Sequence, residues 1–376
     1  MATFFKPEQI FLTGSKTFGR EYYLSPDIFA REFEQIFSRS WFCAGHVSRI
    51  PDPGHYFVLD AYGESIIVLK DQNKEIHAFY NVCRHRGTHM CEEAEGKFSK
   101  TIQCPYHAWT YSLDGKLIGA PLMKDVVDFN KDEYPLHSIN LHVWQGFIFL
   151  NLSKSPEPFE HAFRPLLNKF EGWNLPMLKS ARRIVYDVKA NWKLIFQNYN
   201  ECYHCPPVHP QLAKISPFTS GENDLTAGPF IGGFMSIEGA SSLTLSGNAC
   251  ALPVGDLAEE DHHRVYYYSF SPNFLLSLHP DYVMFHTIWP QSPAQSLIHC
   301  EWLFHPDSFG RADFHPEDGI EFWDITNRQD WHMCELSQIG VASRVYQPSP
   351  YSPREALPAA FDQHYLQMMN EQEKNS

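Results

Sequence analysis

Two short Cys/His pairs constrain this chain more than any other feature of its sequence. Cys83 and His85 form a C-x-H pair, and Cys104 and His107 form a C-x2-H pair. Two thiolates and two imidazoles suit a tetrahedral Zn(II) ion, or a [2Fe-2S] cluster in which the cysteines hold one iron and the histidines the other. Zinc fingers place both cysteines in one loop and both histidines in the other. Here each loop supplies one ligand of each kind, which favours the cluster.

This segment resembles the Rieske motif of oxygenases. Three flanking dipeptides match the oxygenase form of that motif: Arg86-Gly87, Pro105-Tyr106 and Ala108-Trp109. Respiratory Rieske proteins carry one more cysteine in each loop and join the two in a disulfide, whereas this chain has Gly87 and Tyr106 in its loops, and Cys91 has no partner in the second loop. We therefore expect a low-potential cluster, because fewer hydrogen bonds to the sulfurs favour the lower end of the Rieske range. The ligands implied are Cys83, His85, Cys104 and His107.

Length and charge limit the other functions open to the chain. Its 376 residues exceed one Rieske module, and the usual domain size of ~100–200 residues suggests two domains. The net charge of -14 argues against nucleic acid or an anionic membrane as a partner. The N-terminal stretch MATFFKPEQIFLTG lacks the basic and apolar regions of a leader, and no apolar run reaches the length of a membrane span. We therefore expect a cytoplasmic protein without a membrane partner.

The cysteine count agrees with a reducing compartment. The chain has nine cysteines, an odd number, and the motif accounts for two of them. The others are predicted to be free thiols: Cys43, Cys91, Cys202, Cys205, Cys250, Cys300 and Cys334.

A second group of metal-binding residues follows in NWKLIFQNYNECYHCPPVHP. On a helix, Glu201 and His204 would share a face, whereas His209 would point elsewhere. Pro206-Pro207 is expected to end that helix near Cys205 and to let His209 fold back beside His204. Two imidazoles and one carboxylate on one face of an ion form the ligand set of non-heme Fe(II) oxygenases. Asn198, one helical turn before Glu201, is a candidate hydrogen-bond partner near the site.

The same segment resembles the mononuclear iron site of Rieske non-heme iron oxygenases, the ring-hydroxylating α subunits. In that family, an acid three residues before the first histidine bridges it to a Rieske histidine of the neighbouring subunit; the matching residues are Glu201 and His107. Many ring hydroxylases have Asp there, and Glu is more similar to the carnitine, glycine betaine and choline monooxygenases. The family's third ligand is an Asp on a late, long helix, which matches Asp330 in NRQDWHMCELSQIG. Asp324 and Glu335 are its competitors.

The resemblance extends from Trp41 to about Phe361 and implies an α+β fold. An all-β Rieske domain, residues 41–153, would be inserted into a catalytic domain of helix-grip type, formed by residues 1–40 and 154–376, with a curved antiparallel sheet and helices. Short β runs between 41 and 152 and a long helix starting near Pro316 agree with this layout.

The resemblance also implies the cofactors and partners of the chain. The cofactors are the Rieske cluster and a mononuclear Fe(II), with O2 as co-substrate. No G-x-G-x-x-G follows a predicted strand, so a separate flavin or iron-sulfur reductase would pass electrons from NAD(P)H. The family's head-to-tail homotrimer would place the communicating cluster and iron in different subunits.

The substrate is less constrained by the sequence. Hydroxylation of a small organic molecule fits the motifs, and oxidative N-demethylation of a quaternary ammonium compound is one form of it. Several aromatic residues are candidates for a cation-π box or for ordinary sheet core: Tyr266, Tyr267, Tyr268, Phe270, Phe285 and Trp289. Hydroxylation or dihydroxylation of an aromatic compound therefore stays open.

Two further classes of protein are compatible with parts of the sequence. A Rieske electron carrier would not need His204, His209 and Asp330, and would hold two irons per chain rather than about three. A ligand-binding domain without redox work would be colourless, whereas a Rieske cluster gives a red-brown solution.

Overall fold

The computed structural model describes residues 2–370, which form two compact units. One unit is the continuous segment Ser38–Leu167, and the other consists of the chain before and after that segment. The first unit therefore interrupts the second along the chain, and it extends beyond residue 153 to include a short helix. The domain boundaries at residues 41 and 153 stay predictions. Among the described residues, no helix is long and apolar enough to cross a membrane.

The unit Ser38–Leu167 is built from short antiparallel strands. Its strands are β1 (Phe42–His46), β2 (His55–Ala61), β3 (Glu64–Lys70), β4 (Ile76–Tyr80), β5 (Glu95–Lys97), β6 (Thr101–Gln103), β7 (Thr110–Ser112), β8 (Leu117–Gly119), β9 (Asn140–Trp144) and β10 (Phe147–Asn151). They pair in the orders β1-β10-β9, β4-β3-β2-β5 and β6-β7-β8. One core cluster of buried side chains contains Cys83, Cys104 and Tyr111, so the two cysteines lie inside the unit rather than on its surface.

The other unit is a seven-stranded antiparallel sheet covered by helices. Its strands, in the order β11-β17-β16-β15-β14-β13-β12, are β11 (Lys179–Val188), β12 (Glu222–Ala227), β13 (Phe230–Ser236), β14 (Arg264–Phe270), β15 (Phe274–Leu278), β16 (Val283–Ser292) and β17 (Gln295–Phe304). The α-helices of the described chain are α1 (Pro7–Ile10), α2 (Glu21–Leu24), α3 (Pro26–Glu32), α4 (Phe159–Ala162, in the unit Ser38–Leu167), α5 (Trp192–Tyr199), α6 (Cys205–Val208), α7 (Pro210–Ile215), α8 (Pro316–Val341) and α9 (Ala356–Asn370). The predicted α+β fold with an antiparallel sheet is confirmed.

A buried ion pair fixes α5, the helix that leads into the second group of ligands. Lys193 Nζ lies 2.5 Å from Glu32 Oε1, and neither side chain is exposed. Trp192 Nε1 donates to the other Glu32 oxygen at 2.9 Å, and the Tyr365 hydroxyl donates to Oε1 at 2.7 Å. Burying two charges is tolerated because they are paired and hydrogen-bonded. The ion pair and these hydrogen bonds therefore join α3, α5 and α9.

The long helix α8 begins where its sequence predicts. Pro316 occupies its first turn, where a missing N–H costs nothing, and Glu317 and Asp318 place negative charge at its N-terminus. Its buried face carries apolar and amide side chains at helical spacing: Ile320, Trp323, Asn327, Trp331, Cys334, Gln338 and Val341. The helix therefore presents a continuous face to the sheet unit, and Asp330 lies at the edge of that face.

Candidate metal centres and substrate cavity

The two Cys/His loops of the first unit close with the same backbone hydrogen bonds. The Cys83 N–H donates to the carbonyl five residues later at 2.9 Å, and the Gly87 N–H donates to the Cys83 carbonyl at 3.0 Å. The loop at Cys104 repeats both bonds at 2.8 and 3.1 Å, with Ala108 in the place of Gly87. Gly87 and Ala108 both have positive φ, +73° and +57°. Each loop therefore makes a tight turn, which directs its Cys and His side chains towards one region.

The four predicted cluster ligands lie together in a graded environment. Cys83 and Cys104 are each 2 % exposed, whereas His85 and His107 are half-buried, with ring centroids 4.7 Å apart. The His85 ring stacks on Trp109 at 4.8 Å. Its Nδ1 is buried and has no hydrogen-bond partner among the described residues. Buried polar atoms are normally satisfied, so this orphan atom, two buried thiols and a second imidazole fit a cluster with its cysteine side inward.

Tyr111 connects this ligand set to the core of the unit. Its hydroxyl accepts the Arg84 N–H at 3.1 Å and lies 3.4 Å from Cys83 Sγ, so its own hydrogen is available to that sulfur. Burial and the bond to Cys83 raise the pKa of Tyr111, which keeps the phenol protonated as a donor. Hydrogen bonds to ligand sulfurs stabilise the reduced cluster.

Replacing Tyr111 with Phe is expected to leave the cluster bound and to lower its reduction potential by about 40 mV. That shift corresponds to the loss of one hydrogen bond of ~1 kcal/mol in a one-electron couple. A spectroelectrochemical titration measures it. Tyr56→Phe, which alters a tyrosine stacked on Phe98 in the same unit, serves as the control. An unchanged potential in Tyr111→Phe would contradict a hydrogen bond to the ligand sulfur.

The second group of ligands lies on a turn rather than on one helix. α5 ends at Tyr199, because the Asn200 side chain donates to the Phe196 carbonyl at 2.8 Å and accepts a hydrogen bond from Ser269 at 2.8 Å. The prediction that this helix continues to near Cys205 is therefore wrong. Pro206-Pro207 does not end α5, because these prolines form the first turn of α6, where missing N–H groups are tolerated. The predicted return of His209 to the side of His204 is confirmed, since their ring centroids are 5.2 Å apart.

The turn between α5 and α6 is closed by a disulfide. Cys202 and Cys205 are bonded through their sulfurs, with their Cα atoms 4.9 Å apart, a separation that suits a disulfide. The prediction of free thiols is wrong for these two residues, because the turn brings them together. His204 lies between them, so the disulfide closes the same turn that carries this histidine.

Three predicted iron ligands converge at the end of this turn and on α8. Asp330 Oδ1 lies 3.1 Å from His204 Nε2 and 2.9 Å from His209 Nε2, and the two imidazole centroids are 5.2 Å apart. One donor atom from each residue lies within 4.8 Å of the others. Two neutral nitrogens and one carboxylate oxygen form a donor set suited to Fe(II), so the residues fit the predicted metal.

The competing acids on α8 are engaged elsewhere. Asp324 accepts a hydrogen bond from the Tyr186 hydroxyl at 2.7 Å, and Glu335 accepts the Lys189 N–H at 3.0 Å. Asn198 lines the cavity beside the ligands, and its backbone carbonyl accepts the Glu201 N–H at 3.4 Å.

The other ring nitrogen of each histidine is held by a neighbouring side chain. His204 Nδ1 lies 2.5 Å from Glu201 Oε1, while Glu201 Oε2 accepts the His204 backbone N–H at 3.1 Å. His209 Nδ1 lies 2.7 Å from Gln329 Oε1. An acceptor at Nδ1 fixes the proton there and leaves the Nε2 lone pair for a metal. The sequence analysis missed Gln329, whose only signal is its place next to Asp330.

Replacing Gln329 with Leu is expected to weaken Fe(II) binding by about 10- to 100-fold, because His209 loses the acceptor that orients it. Competition with a ferrous chelator measures the affinity, and the visible spectrum reports whether the cluster is retained. Arg328→Leu, at an exposed position of the same helix, is the control. Equal Fe(II) affinity in Gln329→Leu and the parent would show that the amide does not position His209.

Without metal, His204 and Asp330 stabilise each other in their charged forms. Burial lowers the pKa of His204, but hydrogen bonds to Asp330 and Glu201 outweigh it and raise the value to about 10. Burial raises the pKa of Asp330, but its bonds with His204 and His209 hold the value at about 2. A metal entering this site therefore displaces a proton from the histidine, which makes metal affinity fall at low pH.

A cavity opens beside these ligands, between β13, β14, β16 and α8. Aromatic residues on its wall include Tyr199, Phe218, Phe234, Tyr267, Trp323 and Trp331. The Tyr267 ring lies edge-on to Trp323 at 6.2 Å and to Tyr199 at 6.1 Å. The wall next to the metal ligands therefore includes several aromatic rings.

The predicted aromatic box coincides with this wall at one residue. Tyr267 lines the cavity, whereas the hydroxyls of Tyr266 and Tyr268 donate to Asp261 and Asp224 on the other face of β14. The two faces alternate because successive side chains of a strand point in opposite directions. The remaining predicted residues are buried and do not appear on the wall: Phe270, Phe285 and Trp289.

Comparison with known proteins agrees with both centres. Residues 40–130 match the family of Rieske [2Fe-2S] domains, and residues 175–371 match the ring hydroxylating alpha subunit (catalytic domain). The chain belongs to the ring-hydroxylating α-subunit family of Rieske oxygenases. It is therefore an oxidoreductase and the oxygenase component of a system with a separate reductase, and it uses a Rieske cluster, a mononuclear iron and O2. The predictions of family, enzyme class, cofactors and reductase are confirmed.

Several members of this family are similar over long stretches. The glycine betaine monooxygenase oxygenase subunit of Pseudomonas aeruginosa is 30% identical over 369 residues, covering 88% of this chain and 83% of the relative. The carnitine monooxygenase oxygenase subunit of Escherichia coli is 38% identical over 196 residues, 52% of each chain. A solved quaternary ammonium Rieske monooxygenase, studied for carnitine oxidation and inter-subunit electron transfer, aligns with a TM-score of 0.82 at 25% identity, covering 98% of this chain and all of that one.

Proposed function

We propose that this oxygenase subunit hydroxylates a quaternary ammonium compound. The observation that supports this most is the aromatic wall beside the three iron ligands, with Tyr267 and Trp323 in edge-on contact. A quaternary ammonium group cannot donate an N–H hydrogen bond, so ring faces are the surfaces that attract it. The relatives named above act on glycine betaine and carnitine, which are compounds of this class.

The iron ligands in this proposal are His204, His209 and Asp330, and the cluster ligands are Cys83, His85, Cys104 and His107. When bound, the iron supplies the place of O2 activation and the cluster supplies electrons from the reductase. Glu201 and Gln329 hold the two imidazoles with Nε2 directed to one point. With three protein ligands, a bound iron would keep further coordination positions for O2 and water.

The cavity determines how the substrate approaches the three proposed iron ligands. Burial, with the neighbouring Tyr199 and Asp330, raises the pKa of Tyr267 well above its ordinary value, so the ring stays neutral beside a cation. The aromatic wall also replaces water around the reacting carbon, which strengthens the interactions made by the ligands' charges.

The overall reaction balances with two electrons. One oxygen atom of O2 enters a C–H bond of the substrate, and the other leaves as water with two electrons and two protons. Hydroxylation of a carbon bonded to nitrogen gives a carbinolamine, which breaks its C–N bond to release a tertiary amine, an aldehyde or ketone, and a proton.

We also propose a head-to-tail homotrimer in the cytoplasm. In it, Glu201 of one subunit would bridge His204 to His107 of the neighbouring subunit. The partial exposure of Glu201 and His107 supports this arrangement, since each side chain is accessible for a contact. The inter-subunit transfer studied in the solved relative is consistent with it.

Oxygen uptake with a panel of quaternary ammonium compounds and aromatic acids, with a surrogate reductase, tests the substrate class. We expect uptake coupled to formation of amine and carbonyl product from a quaternary ammonium compound. Conversion of an aromatic acid to a diol, with no turnover of any quaternary ammonium compound, would overturn the proposal.

A further inference from the structure

We propose that Arg354 binds a carboxylate of the substrate, and that the substrate is therefore a zwitterionic betaine rather than a quaternary ammonium alcohol. This inference rests on the proposed function, because it assigns the anionic end of the molecule whose cationic end the aromatic wall receives.

The charged side chains on the cavity wall are divided by sign. Glu201 and Asp330 belong to the metal-binding group. Arg354 is the only lysine or arginine among the lining residues that the structure describes. A zwitterion complements this division, since its ammonium group is attracted by the acids and rings and its carboxylate by the guanidinium. A carboxylate turned the other way would face Asp330.

The backbone of Arg354 is held rigidly at the cavity. It lies in the single helical turn Pro353–Glu355, where its N–H donates to Ser352 Oγ at 3.2 Å. Glu355 Oε2 accepts the Ser352 N–H at 2.6 Å, which completes a reciprocal cap. A rigid backbone favours binding of a small anion, because hydrogen-bond donors that are already fixed lose little entropy on binding.

The guanidinium is anchored on one edge and incompletely satisfied. Its Nε lies 2.6 Å from Glu8 Oε1, and its central carbon lies 5.8 Å from the centroid of the Phe218 ring, which also lines the cavity. Its Nη1 is buried without a hydrogen-bond partner among the described residues. Arginine has five N–H donors in a planar fork, so one carboxylate at Nε leaves donors for a second. An unpaired buried donor is unfavourable, and a substrate carboxylate would relieve it.

Direct binding to three related probes tests this role. The probes are glycine betaine, its methyl ester, in which esterification removes the negative charge, and choline. Calorimetry on the as-isolated holoenzyme gives each dissociation constant. We expect Arg354→Met to weaken binding of glycine betaine by roughly 10- to 100-fold, the range for loss of a charge-assisted hydrogen bond. Binding of the ester and of choline is expected to stay within about threefold of the parent.

Three other variants separate anion binding from a structural role. Arg354→Lys keeps the charge without the fork and should recover part of the affinity for glycine betaine. Glu8→Gln removes the partner of Arg354 and should leave that affinity unchanged or tighter; if Arg354 only tethers Glu8, this variant should behave like Arg354→Met. Arg311→Met removes an exposed arginine paired with Asp313 and should change nothing.

The possible results distinguish the two proposals. Equal weakening of all three probes by Arg354→Met, with a lowered melting temperature, would make Arg354 structural and overturn the inference. Unchanged binding of glycine betaine would overturn it as well, while the proposed function stands if the parent binds and oxidises these compounds. Failure of the parent protein to bind any of the three probes or carnitine would overturn the proposed function, and the inference with it.

Discussion

Replacing Asp330 with Ala is expected to remove the mononuclear iron and nearly all oxygenation, while the Rieske cluster remains. Asp330 supplies the one carboxylate of the predicted iron site and meets both imidazoles at about 3 Å. A facial site that loses one of three protein ligands binds Fe(II) poorly, so we expect activity on the order of 1% of the parent or less. Metal analysis should show about two irons per chain instead of three, with an unchanged cluster spectrum.

Asp324→Ala provides a matched control on the same helix. Asp324 is an acid of similar position in sequence, but its oxygens contact Tyr186 and Arg328. We expect this variant to keep its iron and its activity, apart from some loss of stability. Normal turnover in Asp330→Ala, or loss of iron in Asp324→Ala instead, would mean that the iron is assigned to the wrong acid.

This pair of variants also shows where sequence reasoning stops. An acid on a long helix is usually solvated, and the spacing along α8 does not separate Asp330 from Asp324 or Glu335. The resemblance to the family selects Asp330. In the structure, β11 and the residue that follows it distinguish Asp330 from its competitors. Tyr186 donates a hydrogen bond to Asp324, and the Lys189 N–H donates one to Glu335.

The motifs were predictable because each is local. The Cys/His loops need only a tight turn after each cysteine, and Gly87 marks one of them in the sequence. The equivalent Ala108 does not reveal its positive φ, and its turn is identified only by comparison with the first loop.

Features set by distant contacts were not predictable. The end of α5 depends on the hydrogen bond between Asn200 and Ser269, which lies on β14. A helical pattern alone therefore extends the helix too far. Strand β14 carries aromatic residues on both faces, so its composition does not reveal which tyrosine faces the cavity. In the structure this is Tyr267, whereas Tyr266 and Tyr268 donate hydrogen bonds to acids on the other face. The role of Gln329 depends on where His209 comes to lie.

Replacing Glu201 with Gln is expected to leave both metal centres bound and to slow electron transfer between them. Glu201 holds His204 by two contacts, one at the ring nitrogen Nδ1 and one at the backbone N–H. The amide oxygen of Gln can accept one of these hydrogen bonds, so the ring keeps its orientation. The amide lacks the negative charge that would hold His107 of the neighbouring subunit in the proposed bridge.

Single turnover of the reduced, substrate-loaded enzyme measures this effect. After mixing with O2, oxidation of the cluster in Glu201→Gln should be slower than in the parent by about 10-fold or more, with unchanged iron content. Glu335→Gln, which alters an acid of α8 bonded to the Lys189 N–H, should keep the parent rate. Cluster oxidation at the parent rate in Glu201→Gln would exclude the bridge and leave Glu201 as an orienting residue. Loss of iron instead would show that the charge on Glu201 is needed to hold His204 as a ligand, because the amide then fails to fix Nδ1 and the imidazole leaves the metal-binding geometry.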